Sequence, residues 1–293
     1  MANDETQQQS HLELFADRSK AINYKSLKSL HYIGNYVRPL PVSLTRMMEN
    51  AFDWEHLPFI HQSSFASIRL VEEGAWGWRC MVDLPNGGGE QAIELLVDLD
   101  QHYWATTVVS GFGQGAQIHT KARECDAGGI EVEVRFYAEF EPPTQEFAQA
   151  VLAGLQTQYT QLYNEDEALM SARQSALDLQ KDLRETHPAK RVAKANLGKA
   201  SALDRSQSHS VELERQRFCV RQVEGDWIAH AAQCPHMLAP LAEAAIDAGH
   251  LTCPWHGYRF DSVSGIESQE RCGVLKIAQC EVDQNGDLIV SFA

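Results

Sequence analysis

Between Phe65 and Glu141, apolar and polar residues alternate in six short runs: "FASIRLVEE", "WGWRCMVDL", "QAIELLVDLD", "YWATTVVSG", "AQIHTKARE" and "IEVEVRFYAEFE". Gly, Asn and Asp clusters separate them. That alternation has the period of half-buried strands, and the spacing predicts an antiparallel sheet. Upstream, Leu44, Met47, Met48, Ala51 and Phe52 recur at helical spacing, and Pro58 predicts the end of that helix near Leu57. Downstream, Pro142-Pro143 breaks the strand pattern. A long helical pattern follows from Thr144 to Asp182, with Phe147, Val151, Leu155, Tyr159, Leu162 and Tyr163 on one side. Helix, curved sheet and long closing helix together predict an α+β domain with the last helix over the sheet.

Around this domain the pattern changes. Residues 1–39 read as a loosely structured extension, and residues 40–182 form the α+β domain. Residues 183–209 include "RETHPAKRVAKANLGKASALDRSQSH", which is small, polar and locally basic and reads as a linker. Residues 210–293 return to short strands and turns and predict an all-β domain.

The charge narrows the partners. A net charge of -15 over 293 residues disfavours a nucleic-acid backbone and an anionic membrane surface. No apolar run approaches the length of a membrane span. The first twenty residues carry neither the basic nor the apolar region of a signal peptide. The expectation is a cytoplasmic protein, so the seven cysteines read as metal ligands or buried thiols rather than a disulfide framework. Cys80, Cys125, Cys219, Cys272 and Cys280 fit the buried role.

The most specific chemistry lies in the last domain. "CPHMLAPL" supplies Cys234 and His236, and "CPWHGYRFD" supplies Cys253 and His256. Two thiolates and two imidazoles in paired short loops suit a metal centre, either zinc or an iron–sulfur cluster. Chance would produce this spacing in roughly three of ten thousand such chains. The residues around the ligands resemble the Rieske [2Fe-2S] family. The resemblance implies that Cys234 and Cys253 hold one iron and His236 and His256 the other, with Pro235, Pro254 and Gly257 shaping the loops. The respiratory type carries an extra disulfide between the loops. Here Ala239 and Trp255 occupy that neighbourhood, which points to the lower-potential type of ferredoxins and oxygenases.

A second stretch, "DWEHLPFIH", places Asp53, His56 and His61 within nine residues. Asp53 and His56 are three apart, as on one helix face, and a break near Pro58 would let His61 turn back toward them. By itself the pattern fits a capped helix end with surface histidines as well as an iron site; chance yields it about once in fifteen such chains. With the Rieske motif in the same chain, "ENAFDWEHLPFIH" resembles the iron-binding segment of Rieske non-haem iron oxygenases, matching Asn50, Asp53, His56 and His61. The resemblance implies a mononuclear Fe(II) held by His56, His61 and an acid on the long helix. "NEDEALMSARQ" offers Asp166 for that third ligand, with Glu165 as the alternative.

The resemblance further implies a helix-grip (START-like) catalytic domain that acts with O2 on a small organic substrate. Electrons would come from a separate NAD(P)H-dependent reductase or a ferredoxin, since no NAD or flavin motif appears. Asp53 would bridge His256 to His56, between subunits of a homo-oligomer whose typical form is a trimeric ring. Phe65, Trp76, Trp78, Trp104 and Phe136 are candidates for the substrate pocket. The family's usual order is reversed here, with the Rieske domain last. The competing reading is a Rieske electron-transfer or redox-sensing protein fused to a hydrophobic-ligand-binding domain without a second iron.

Overall fold

The structure, a computed structural model, describes residues 10–126, 128–186 and 193–292. The chain divides into two compact units, Met1–Ser171 and Ala172–Ala293.

The first unit is built on β1 (His31–Leu40), α1 (Leu44–Phe52), the one-turn α2 (Leu57–Ile60), and strands β2 (Ser67–Gly74), β3 (Gly77–Asp83), β4 (Glu90–Asp98), β5 (Tyr103–Ser110), β6 (Gln117–Glu124) and β7 (Ile130–Ala138). The six runs predicted as strands are β2 to β7. They form one antiparallel meander, closed at its far edge by β1, in the order β1-β7-β6-β5-β4-β3-β2. A two-residue turn joins β2 to β3. Only glycine fits at Gly77 after that turn: its φ is +125°, and a Cβ would lie 2.0 Å from the carbonyl oxygen of Leu95. The long helix α3 (Gln145–Thr186) follows, and the division between units falls within it.

Alternation gives the sheet two different faces. Trp78, Leu95, Trp104 and Thr120 point to the face that α1 and the first half of α3 cover. Arg79, Met81 and Glu94 point the other way. Arg79 and Glu94 pair at 2.7 Å with side chains 3% and 2% exposed. The N-terminal segment covers this pair. Phe15 packs on Met81 and Ala92, Arg18 bonds Glu94 at 2.8 Å, and Arg79 donates to the carbonyls of Arg18 and Ser19.

The second unit contains β8 (Lys194–Lys199), β9 (His209–Leu213), β10 (Gln216–Val223), β11 (Asp226–Ala231), β12 (Ile246–Asp247), β13 (His250–Thr252), β14 (Arg259–Asp261), β15 (Ile277–Val282) and β16 (Asp287–Ser291). Six strands form a sheet in the order β8-β16-β15-β11-β10-β9, and β12-β13-β14 form a small second sheet. The larger sheet closes on Leu213, Phe218, Val220, Leu288 and Val290. The molecule is therefore α+β: an antiparallel sheet, a long helix and all-β C-terminal sheets.

Three expectations are corrected. Residues 31–39 of the supposed extension belong to a sheet strand, β1, an edge strand that pairs only with β7 and so shows little apolar alternation. Residues 194–199 of the supposed linker are likewise strand β8, paired with β16. The first helix stops at Phe52 rather than near Pro58. Asp53 caps it with ψ 83°, so Asp53 and His56 do not share a helix. Pro58 sits instead in the first turn of α2, where its missing N–H costs no hydrogen bond. Among the described residues no helix is long and apolar enough to cross a membrane.

Candidate metal centres

In the second unit, two loops carry the four predicted ligands with the same backbone scheme. Between β11 and β12, Leu238 N–H donates to Cys234 O at 3.0 Å and Cys234 N–H donates to Ala239 O at 2.9 Å. Between β13 and β14, Gly257 N–H donates to Cys253 O at 3.0 Å and Cys253 N–H donates to Tyr258 O at 2.8 Å. Both turns need a left-handed residue at the same place, met by Leu238 (φ 64°) and Gly257 (φ 66°). A leucine there is strained, which marks the first loop as held by its surroundings. The loops bring the imidazoles of His236 and His256 to 4.6 Å between centroids.

Cys234 and Cys253 are buried, 0% and 1% exposed, and His256 is 3% exposed. The two thiols hydrogen-bond each other. The Cys253 thiol is pulled down to about 5, first by its bond with Cys234, with help from His256 and the N–H groups of Trp255 and His256. Cys234 is pushed above the thiol range by the same contact. A buried sulfur pair of which one member ionises readily, facing two imidazoles, fits the donor set of a two-iron cluster. Ala239 and Trp255 are buried, and all seven cysteines are free. Of the remaining five, Cys80 and Cys219 are buried, while Cys125, Cys272 and Cys280 are half-buried.

In the first unit, the single turn of α2 does what the sequence expected of a break. His56 precedes it and His61 follows it, so both imidazoles lie at its ends with centroids 5.2 Å apart. Asp166 reaches them from α3. One ligand atom each from His56, His61 and Asp166 lie within 4.8 Å of one another, and all three residues are buried. His61 Nε2 is 3.0 Å from Asp166 Oδ1, and its Nδ1 is 2.7 Å from Glu165 Oε2. Glu165, weighed as the alternative ligand, thus stands behind His61 rather than beside Asp166.

His56 is the odd member. Its nitrogens lie 3.5 Å from Asp53 Oδ2 and 3.6 Å from Asp166 Oδ1, too long to hydrogen-bond, and both are buried. Burial lowers its affinity for a proton, but Asp166 and Asp53 more than reverse this and raise its pKa to about 10. Asp166 is pushed up by burial and pulled further down by the two imidazoles, well below the usual carboxylate range. The cluster of carboxylates is built for positive charge at its centre. Two imidazoles and one carboxylate with orphaned buried nitrogens fit a divalent metal, and the set is that of non-haem Fe(II) sites.

Beside the triad is a cavity of about 140 Å³. Phe65, Trp78 and Trp104 line it, as predicted, with Tyr159 and Thr120. Trp76 and Phe136 do not. Trp76 stacks with the cations Lys20 and Arg79, and Phe136 is buried against Tyr159 at 5.0 Å. Asn50 is 7% exposed and also lines the cavity; its Oδ1 accepts no hydrogen bond. Tyr159, Leu162, Tyr163 and Asp166 occupy one face of α3 at the helical period. That period was visible in the sequence, but only the apolar members were read from it.

Residues 193–277 match the Rieske [2Fe-2S] domain. The C-terminal unit carries a Rieske [2Fe-2S] domain. Local similarity extends to Rieske oxygenases. The chain is 53% identical over 38 residues to pheophorbide a oxygenase, chloroplastic, of Oryza sativa subsp. japonica, covering 13% of this chain and 7% of that protein. It is 46% identical over 41 residues to the oxygenase component of dicamba O-demethylase of Stenotrophomonas maltophilia, covering 14% and 12%. A chain from the complex of reduced oxygenase and oxidized ferredoxin in carbazole 1,9a-dioxygenase aligns at 24% identity and a TM-score of 0.30, over 34% of this chain and 93% of that one. The matched stretches span about a tenth of the length of these curated relatives. Cys234, His236, Cys253 and His256 all lie inside the matched residues.

Proposed function

We propose that this chain is a Rieske-type non-haem iron oxygenase, a mono- or dioxygenase that hydroxylates or demethylates a small organic substrate. One observation carries the reading. A chain with a Rieske domain also gathers His56, His61 and Asp166 within 4.8 Å in a buried site beside a largely apolar cavity. An electron carrier without a second iron has no use for that triad. When bound, the [2Fe-2S] cluster supplies single electrons and the ferrous ion supplies O2 activation.

The chain's own residues have distinct tasks. Glu165 accepts from His61 Nδ1, which fixes the ring so that Nε2 faces the centre. Asp53, its side chain 8% exposed, lies 3.5 Å from the other side of His56 and is the carboxylate assigned to bridge toward a cluster histidine, His256, between subunits of a homo-oligomer. Phe65, Trp78 and Trp104 exclude water and hold the substrate. The cavity matches one that binds a single benzene-sized molecule. Among its lining residues there is no Lys or Arg, while Asp53 and Asp166 are present. Apart from the metal itself, an anionic substrate would find no cationic partner among the lining residues, so the fitting substrate is uncharged and about one ring in size. The electron donor is a separate reductase or ferredoxin.

Ferrous protein exposed to nitric oxide tests the reading by EPR. The expected result is a high-spin iron–nitrosyl signal that is perturbed by a neutral single-ring compound and absent in His56→Ala, which keeps the cluster signal. A His56→Ala protein with an undiminished nitrosyl signal would contradict the assignment.

A further inference from the structure

His236, on the first cluster loop, is part of an arrangement that ligand binding alone does not require. Tyr258, 4% exposed, stacks on His236 with centroids 4.5 Å apart and planes 12° from parallel. The Arg271 guanidinium lies over the same Tyr258 ring, its Cζ 3.8 Å from the centroid. Two planar groups this near one centroid cannot share a face. The order is therefore imidazole, phenol, guanidinium.

The far end of the stack is anchored. Arg271 Nη2 donates to Glu267 Oε1 at 2.8 Å, and the Glu267 side chain is 1% exposed. Glu267 Oε2 accepts the backbone N–H groups of Gln269 and Arg271 at 2.9 and 3.0 Å. The backbone of Glu267 is bridged to Phe260, which is fully buried two residues after Tyr258. A fixed carboxylate thus holds a cation against a ring, and the ring lies flat on His236.

We propose that Arg271 is a positioning residue for the cluster: through Tyr258 it fixes the plane of the His236 imidazole, and its charge favours the reduced cluster. This rests on the Rieske domain and on His236 as a cluster ligand. The physical reason is direct. Reduction adds one negative charge to the cluster, and a nearby cation lowers the free energy of that state while a nearby anion raises it. Cation–π contact and planar stacking need a guanidinium rather than an ammonium for orientation, whereas the charge effect needs only a cation. The two contributions are therefore separable by substitution.

The test is the midpoint potential of the full-length protein, followed in a redox titration by visible circular dichroism, with the histidine–nitrogen couplings of the reduced cluster read by pulsed EPR. Arg271→Gln is expected to lower the reduction equilibrium constant about tenfold, about 59 mV for a one-electron couple. Glu267→Gln is expected to move it in the opposite direction. Arg271→Lys is expected to restore most of the potential but not the wild-type nitrogen couplings. Opposite shifts from Arg271→Gln and Glu267→Gln are not what general loosening would produce. Potentials unchanged in both, or lowered alike in both, with the cluster's visible spectrum intact, would overturn the proposal. A wild-type protein without a Rieske spectrum after reconstitution would instead overturn the cluster assignment on which it rests.

Discussion

Replacing Glu165 by alanine removes the group that holds His61 in place without touching the proposed iron ligands. The structure sets the size of the effect. Glu165 Oε2 lies 2.7 Å from His61 Nδ1, with side chains 27% and 3% exposed. A charge-assisted bond of this kind is worth about 1.5–3 kcal/mol when shielded from water, and the partial exposure of the carboxylate favours the lower half. Lost orientation of a metal-bound imidazole costs about 10–100-fold in metal affinity. Glu165→Ala should therefore weaken Fe(II) binding about tenfold or somewhat more. Glu165→Gln keeps an acceptor oxygen in the same place and should weaken it by about half that free energy, roughly threefold. The assay is competition for Fe(II) against a chelator of known affinity, under anaerobic conditions, with the cluster spectrum as a control. Unchanged affinity in Glu165→Ala would refute the orienting role. Complete loss of iron in Glu165→Ala together with retention in Asp166→Ala would reverse the roles of the two acids.

Two further perturbations test the frame around the site. His119 is 2% exposed and bonded to Tyr103 and Gln117, and burial lowers its pKa to about 4. The unfolded chain binds a proton near pH 6.5 and the folded chain does not, so stability should fall as pH drops from about 6.5 toward 4, by on the order of 2 kcal/mol. Urea midpoints across that window should be flatter in His119→Gln; an equally steep profile would contradict the buried neutral imidazole. Arg79→Ala leaves Glu94 buried with only Arg18 as a cation and should destabilise the first unit by about 3–5 kcal/mol in denaturant melts. A cost under about 1 kcal/mol would mean the pair is solvated in solution.

The strands with two neighbours were legible because both their faces are constrained. Trp78, Leu95 and Trp104 must alternate with polar positions for the sheet to have a cavity side. Three of the four edge strands of the two larger sheets, β1, β8 and β9, were less so. β1 contains Pro39, and β8 is "KANLGK"; neither carries a strong period-two pattern, since an edge strand buries little. The Rieske domain was readable because its four candidate ligands are local, in two short loops with fixed spacing. The mononuclear site was readable only in part. His56 and His61 sit at the ends of one turn, whose proline reads equally well as a stop for the helix before or a start for the helix after. Asp166 and Glu165 are adjacent in sequence, and only the phase of α3 relative to His61 separates the proposed ligand from its proposed support. The N-terminal cover over Arg79 and Glu94 had no signal, because a buried ion pair looks like two surface charges in a sequence.

The most direct test of the two-iron-site account is the iron and sulfide content of anaerobically purified protein, with and without Asp166→Ala. The account predicts the two irons and two sulfides of the cluster plus one further iron per chain, with that further iron lost in the mutant. Cluster iron and sulfide alone in both proteins, even after reconstitution with Fe(II), would contradict it and leave a Rieske domain that carries or senses electrons.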